Sequence, residues 1–260
     1  GTAKPTDEEQ KRVHHHFIDH VTPDQHFDAG LFGEEGRKII AEMFEKNMTP
    51  IVAGGSGLYI KSLIDGLFEG PRQDMTIRNK LERRIETEGI NSLLEELRKI
   101  DPVSYEKLLP TNKHRIIRAL EVYYLTGKSI TDLQKENRID VNFSVLFFGL
   151  KWDRGILYKR INERVLSMIE MGLVEELKKL LSMGYSKDMK AFRTVGYKEP
   201  IDFLDGNISY DEMINLVQQY SRNYAKRQLT WFRADERIDW IDASLPIEEM
   251  TNIIIKKTER

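Results

Sequence analysis

Cysteine is absent from the 260 residues. That excludes disulfides and thiolate-bound metal, and it is compatible with a reducing compartment. No apolar run approaches the roughly 20 residues that a membrane-spanning helix needs, so no membrane partner is expected. No cationic, apolar leader opens the chain, so secretion has no support and a cytoplasmic location is expected. Net charge is scarce too. The formal charge is −2, so any nucleic-acid site must be a local basic patch. Internal repeats and low-complexity tracts are also missing. What is present, 40% hydrophobic and 32% charged residues, is the composition of a soluble globular protein. The length suits one large domain or two modest ones.

Along the chain, Ile39, Ile40, Met43 and Phe44 predict a helix over 34–47. Pro50 ends it, and Ile51-Val52-Ala53 predicts a short buried strand. Gly54-Gly55-Ser56-Gly57 then turns into a helix carrying Leu58, Ile60, Leu63 and Ile64. Helix, strand, glycine turn and helix is the rhythm of a parallel α/β sheet. From about 75 to 144 the texture is helical and charged, and Asp101-Pro102 marks a helix start. Val145 to Leu150 predicts a second buried strand, expected beside 51–53 in one parallel sheet. Long helices are expected at about 156–182 and 210–233. The expected organisation is a core over 1–74 and 145–260, with an all-helical insertion at 75–144.

Four constellations carry possible chemistry. Glycines after a strand let backbone amides approach an anion, and the N-terminus of the next helix favours negative charge. Ser56 is placed either to cap that helix or to bond a phosphate oxygen. The loop is not a Walker A sequence, because no Lys-Ser/Thr pair follows. On the helix from Leu157, the residues Leu157, Ile161, Val165 and Met168 share a face at about 100° per residue. Arg164 falls inside that stripe and Arg160 at its edge. A core-facing guanidinium needs an anion, either a carboxylate or a bound diphosphate. Third, His114-Arg115-Ile116-Ile117-Arg118 is either a solvated helix face or a contact for RNA phosphates.

Fourth, helical phasing of 222–233 puts Arg222, Lys226 and Arg233 on one face. Tyr220, Tyr224, Trp231 and Arg227 lie opposite. The aromatic face is read as core, and the basic face as a candidate for RNA phosphates. Gln228, between the faces, suits a base edge. His14, His15 and His16 do not suit a metal site, because adjacent histidines in extended chain point to opposite sides.

In this order, Gly1 to Pro5, His15-His16-Phe17-Ile18-Asp19, Gly54-Gly55-Ser56-Gly57-Leu58-Tyr59, Arg115 to Glu121, Gly196-Tyr197-Lys198-Glu199 and Ala225 to Arg233 resemble the bacterial tRNA dimethylallyltransferase (tRNA isopentenyltransferase) family. The resemblance spans essentially the whole chain. It implies a P-loop kinase-like core with a helical insertion. It implies transfer of dimethylallyl from its diphosphate to the exocyclic amine of an adenosine beside the anticodon, with Mg²⁺ as cofactor and tRNA as partner. A monomer is expected. By the same resemblance, Ser56 stands where threonine is usual and would contact the donor diphosphate. Gly54, Gly55, Arg160 and Arg164 would help hold that diphosphate. Arg78, His114, Arg115, Arg118, Thr194, Gly196, Tyr197, Arg222, Lys226, Arg227, Gln228 and Arg233 would contact tRNA. The family's first strand, P-loop and aspartate general base, which precede the Gly-Thr-Ala-Lys segment, are absent from this sequence. On that ground the piece alone is expected to be inactive. Prenylation of free adenine nucleotides, small-molecule phosphorylation and non-catalytic RNA binding are the other readings.

Overall fold

The computed structural model describes residues 4–66, 70–71, 73–136 and 141–258. In chain order the elements are α1 (Asp7–Arg12), α2 (Ala29–Glu45), α3 (Gly57–Asp65), α4 (Met75–Glu88), α5 (Ile90–Ile100), α6 (Pro102–Lys107), α7 (Lys113–Thr126) and α8 (Ile130–Glu136). There follow β1 (Phe147–Lys151), α9 (Arg154–Glu170), α10 (Leu173–Ser182), a 3₁₀ turn (Lys190–Arg193), α11 (Lys198–Leu204), α12 (Tyr210–Arg233), β2 (Ile238–Asp242) and α13 (Ile247–Thr258). They group into two compact units. One comprises 1–27, 55–57 and 144–260, the other 28–54 and 58–143.

The sheet belongs to the first unit. β1 and β2 are parallel, with Phe147 opposite Ile238 and Lys151 opposite Asp242. This bears out an α/β arrangement at the level of a small parallel sheet among many helices. The partner strand is not the expected one. Residues 51–53 form no strand, and Ile51 is 88% exposed. A strand exists only where a neighbour completes its backbone ladder, and among the described residues none pairs with 51–53. β1 begins at Phe147 rather than Val145, and Leu146 and Leu150 are exposed, so it is not the fully buried strand expected. The helix expected over 156–182 is two, α9 and α10, divided at Gly172 with φ 93°. α12 spans 210–233 as expected.

The second unit has helices and no strand among its described residues. Leu81 from α4, Leu93, Leu94 and Leu97 from α5, and Ile116, Ile117 and Leu120 from α7 form its core. Asp101 joins α6 to α8. It caps α6 through Ser104 N–H (3.0 Å) and accepts from the Thr131 hydroxyl at 2.8 Å, while only 3% exposed. Asp101→Ala removes the cap and leaves the half-buried Ser104 and Thr131 donors without this acceptor. We expect it to cost about 2 kcal/mol, read as a lowered urea midpoint. A midpoint equal to wild type would show that Thr131 and Ser104 find other acceptors.

Candidate functional site

The glycine loop is held by α12. Gln228 Nε2 donates to the Gly55 carbonyl at 2.8 Å. A Cβ on Gly55 would lie 2.0 Å from that amide nitrogen, and one on Gly57 would lie 2.3 Å from the Trp231 indole. At Gly57 the Cβ would meet a rigid indole ring, so glycine is required there by close approach; at Gly55 it would meet the end of a flexible side chain, which could move aside only by giving up its bond to the loop. At Gly54 a Cβ would meet nothing within 4 Å. Between the two clamped glycines, the half-buried Ser56 makes no hydrogen bond to any described residue.

On α9, Arg160 and Arg164 are both exposed, and only Val165 is fully buried. This corrects the core-facing placement of Arg164: α9 packs through a narrow strip that the guanidinium does not enter. Neither arginine pairs with a described carboxylate. Arg160 lies over the Trp152 ring, 4.3 Å from its centroid, a contact that orients the cation and leaves its charge uncompensated.

Beyond the 3₁₀ turn, Thr194 and Val195 face solvent, while Gly196 is buried. Tyr197 donates its hydroxyl to Glu176 Oε1 at 2.6 Å, and Gly196 N–H donates to Glu199 Oε2 at 2.8 Å. Lys190, Arg193 and Lys198 are exposed around this turn and pair with no described carboxylate. The sequence reading missed these three cations. Their clustering beside the glycine turn was the available signal.

α12 departs from its expected phasing. Arg222 is half-buried and donates to Asn162 Oδ1 on α9, whereas Lys226, Arg227 and Arg233 are exposed. Tyr224 and Trp231 are 43% and 42% exposed, so the aromatic face is not core. The helix buries Met213 and Val217 in its first half instead. Arg227 lies over Tyr224, 5.6 Å from the ring centroid.

In the other unit, Arg78 grips Glu121 with Nε (2.8 Å) and Nη2 (3.0 Å), and Arg118 Nη1 joins at 2.7 Å. Arg118 Nη2 also donates to the Pro71 carbonyl, and Asp74 N–H to Glu121. Glu121 is fully buried. Arg118 is therefore not part of a simply solvated helix face, although together with Arg78 it keeps one positive charge beyond that carboxylate. His114 and Arg115 are exposed.

The family model described as IPP transferase matches residues 1–235. The chain belongs to the IPP transferase family. It is 44% identical to a tRNA dimethylallyltransferase of Geobacter sulfurreducens over 257 residues, covering 98% of this chain and 83% of that one. A solved tRNA isopentenylpyrophosphate transferase of Bacillus halodurans superposes with a TM-score of 0.69 at 37% identity, over 99% of this chain and 82% of that one. A eukaryotic dimethylallyltransferase solved acting on tRNA gives a TM-score of 0.73 at 26% identity, over 92% of this chain and 62% of that one.

For this transferase the matching segments are now placed, except Gly1, Thr2 and Ala3, which lie outside the described residues. Lys4 pairs with Asp19, and Phe17 and Asp19 take left-handed backbone at φ 63° and 52°. Among the described residues no group of three His, Asp or Glu side chains is arranged to hold a metal ion. Mg²⁺ is commonly held by one or two carboxylates together with substrate phosphates and water, so it does not require such a group. No described helix is long and apolar enough to cross a membrane.

Proposed function

We propose that the intact protein transfers a dimethylallyl group from dimethylallyl diphosphate to the exocyclic amine of the adenosine beside the tRNA anticodon. The allylic C–O bond breaks, the amine nitrogen forms the new C–N bond and loses a proton, and diphosphate departs. The observation that carries this reading beyond kinship is the set of uncompensated cations in one unit. Arg160 and Arg164 on α9 suit charge developing on a departing diphosphate. Lys190, Arg193, Lys198, Lys226, Arg227 and Arg233 suit the many phosphates of an RNA. Arg222 turns toward Asn162 and takes a supporting part. In the helical unit, His114, Arg115 and the excess charge of Arg78 and Arg118 supply further backbone contacts. Gln228 keeps its carbonyl oxygen for a base edge while its amide holds Gly55. The core is read as P-loop kinase-like and the chain as a cytoplasmic monomer.

Transfer of label from dimethylallyl diphosphate into tRNA but not AMP is the deciding experiment. Incorporation into AMP alone would replace this reading with nucleotide prenylation, and ATP-dependent phosphorylation with a kinase. The salt series gives a second check. Lys226→Ala should reduce the salt slope of tRNA affinity by about 1 if it neutralises one phosphate. Arg118→Ala should reduce it less, because Glu121 already shares that charge. Gln228→Ala should leave the slope unchanged. An unchanged slope for Lys226→Ala would remove α12 from the RNA surface.

A further inference from the structure

The Thr194–Tyr197 turn takes its shape from contacts that face inward. Gly196 sits at φ 93°, a conformation that L side chains avoid. Glu199, which accepts the Gly196 N–H, is only 2% exposed. Tyr197 packs its ring 5.7 Å from that of buried Phe192 and donates its hydroxyl to Glu176. Burial, and then the bond to Glu176, push the Tyr197 phenol up, so it remains a donor at neutral pH. The two carboxylates come from different helices, Glu176 from α10 and Glu199 from α11. Each holds one residue of a turn whose Thr194 and Val195 are exposed, with Arg193 and Lys198 at its two ends.

Two carboxylates beneath a surface meant for phosphates lower its potential, so charge alone gives no reason for them. Their geometry does. We infer that Glu176 and Glu199 are positioning residues for the tRNA-binding turn, Glu176 fixing Tyr197 and Glu199 fixing Gly196, so that the exposed turn and its flanking cations meet the RNA backbone already in shape. This rests on the tRNA reading above. It also reassigns Tyr197, whose hydroxyl is committed inward and is not offered to RNA. A preformed turn loses less conformational freedom on binding than a loose one.

The test uses the sign of the change. Removing a negative charge near phosphates should by electrostatics alone tighten tRNA binding. Positioning predicts the opposite: Glu199→Ala and Glu176→Ala weaken it about tenfold, the loss expected for one charge-assisted hydrogen bond. Glu199→Gln and Glu176→Gln keep an acceptor oxygen and retain most of the affinity. Tyr197→Phe changes no charge, keeps the ring against Phe192, and should also weaken binding. The double variant Tyr197→Phe/Glu176→Ala should lose no more than Glu176→Ala alone, because the bond between the two side chains is already gone there. Affinity is measured on the full chain with unmodified tRNA at fixed salt, beside thermal midpoints. If the alanine variants unfold, Tyr197→Phe decides alone. Unchanged or tighter binding, with wild type binding tRNA, overturns the inference and leaves the function standing. A wild type that does not bind tRNA overturns both.

Discussion

Glu121→Ala should lower the stability of the helical unit by about 3–5 kcal/mol, the usual loss when one partner of a buried ion pair is removed. Glu121 is fully buried and accepts four hydrogen bonds: two from Arg78, one from Arg118 and one from the Asp74 amide. Alanine leaves two half-buried guanidiniums facing each other across a void, and an amide without its acceptor. The side chains of Arg78 and Arg118 are 23% and 28% exposed, so they can turn partly to water, which places the loss toward the lower end. Glu121→Gln keeps the shape and removes the charge, and should cost less than alanine but remain destabilising. Urea unfolding followed by circular dichroism reads both. A loss under about 1 kcal/mol for alanine would mean that the pair is a surface contact with little net worth.

The same node makes the helical unit sensitive to acid. Burial pushes the Glu121 carboxyl up, but the hydrogen bonds from Arg78, Arg118 and the Asp74 amide outweigh it and hold the group below its ordinary value. Asp101 behaves alike: burial raises it, and Ser104 and Thr131 more than reverse the effect. A carboxyl depressed in the folded state contributes its full stabilisation above its unfolded pKa, about 4. The contribution disappears as pH falls through the lower folded value. Stability should therefore be flat through neutrality and fall below about pH 4, less steeply in Glu121→Gln.

What the sequence disclosed depended on how far apart the interacting residues lie. The helices were legible because their apolar spacing is local, and so was the Asp101-Pro102 start, where cap and first turn are adjacent. β1 and β2 are joined only through their pairing. Ile238-Asp239-Trp240-Ile241-Asp242 alternates too little to announce itself, while Ile51-Val52-Ala53 has strand-like residues and, among the described residues, no partner. Arg118 and Glu121 stand one helical turn apart, and that pair was within reach of helical spacing. Arg78 grips the same carboxylate from 43 residues away, and Gln228 reaches Gly55 across 173. No pattern in a single sequence reports such pairings. Residue type thus marks candidate cations, but which ones remain uncompensated is set by distant carboxylates.

Ser56→Ala should reduce transfer of the prenyl group roughly 10- to 150-fold while costing at most about 1 kcal/mol of stability. The asymmetry follows from the surroundings of the hydroxyl. Gln228 fixes Gly55 on one side and Trp231 packs on Gly57 on the other, so Ser56 is held in place by its neighbours' contacts. Its own Oγ bonds to no described residue, so alanine removes no internal hydrogen bond. A helix cap would be worth about 1 kcal/mol at most sites. A hydrogen bond to a diphosphate oxygen contributes roughly 1.5–3 kcal/mol, and each 1.36 kcal/mol of barrier is about tenfold in rate. If the hydroxyl meets the bridging oxygen as charge develops there, the loss falls on kcat. If it meets a terminal oxygen equally in ground and transition states, the loss appears as a raised KM for the donor. Ser56→Thr keeps the hydroxyl and should retain most of the activity. Turnover in Ser56→Ala equal to wild type, at saturating and at low donor, would leave Ser56 with no part in catalysis.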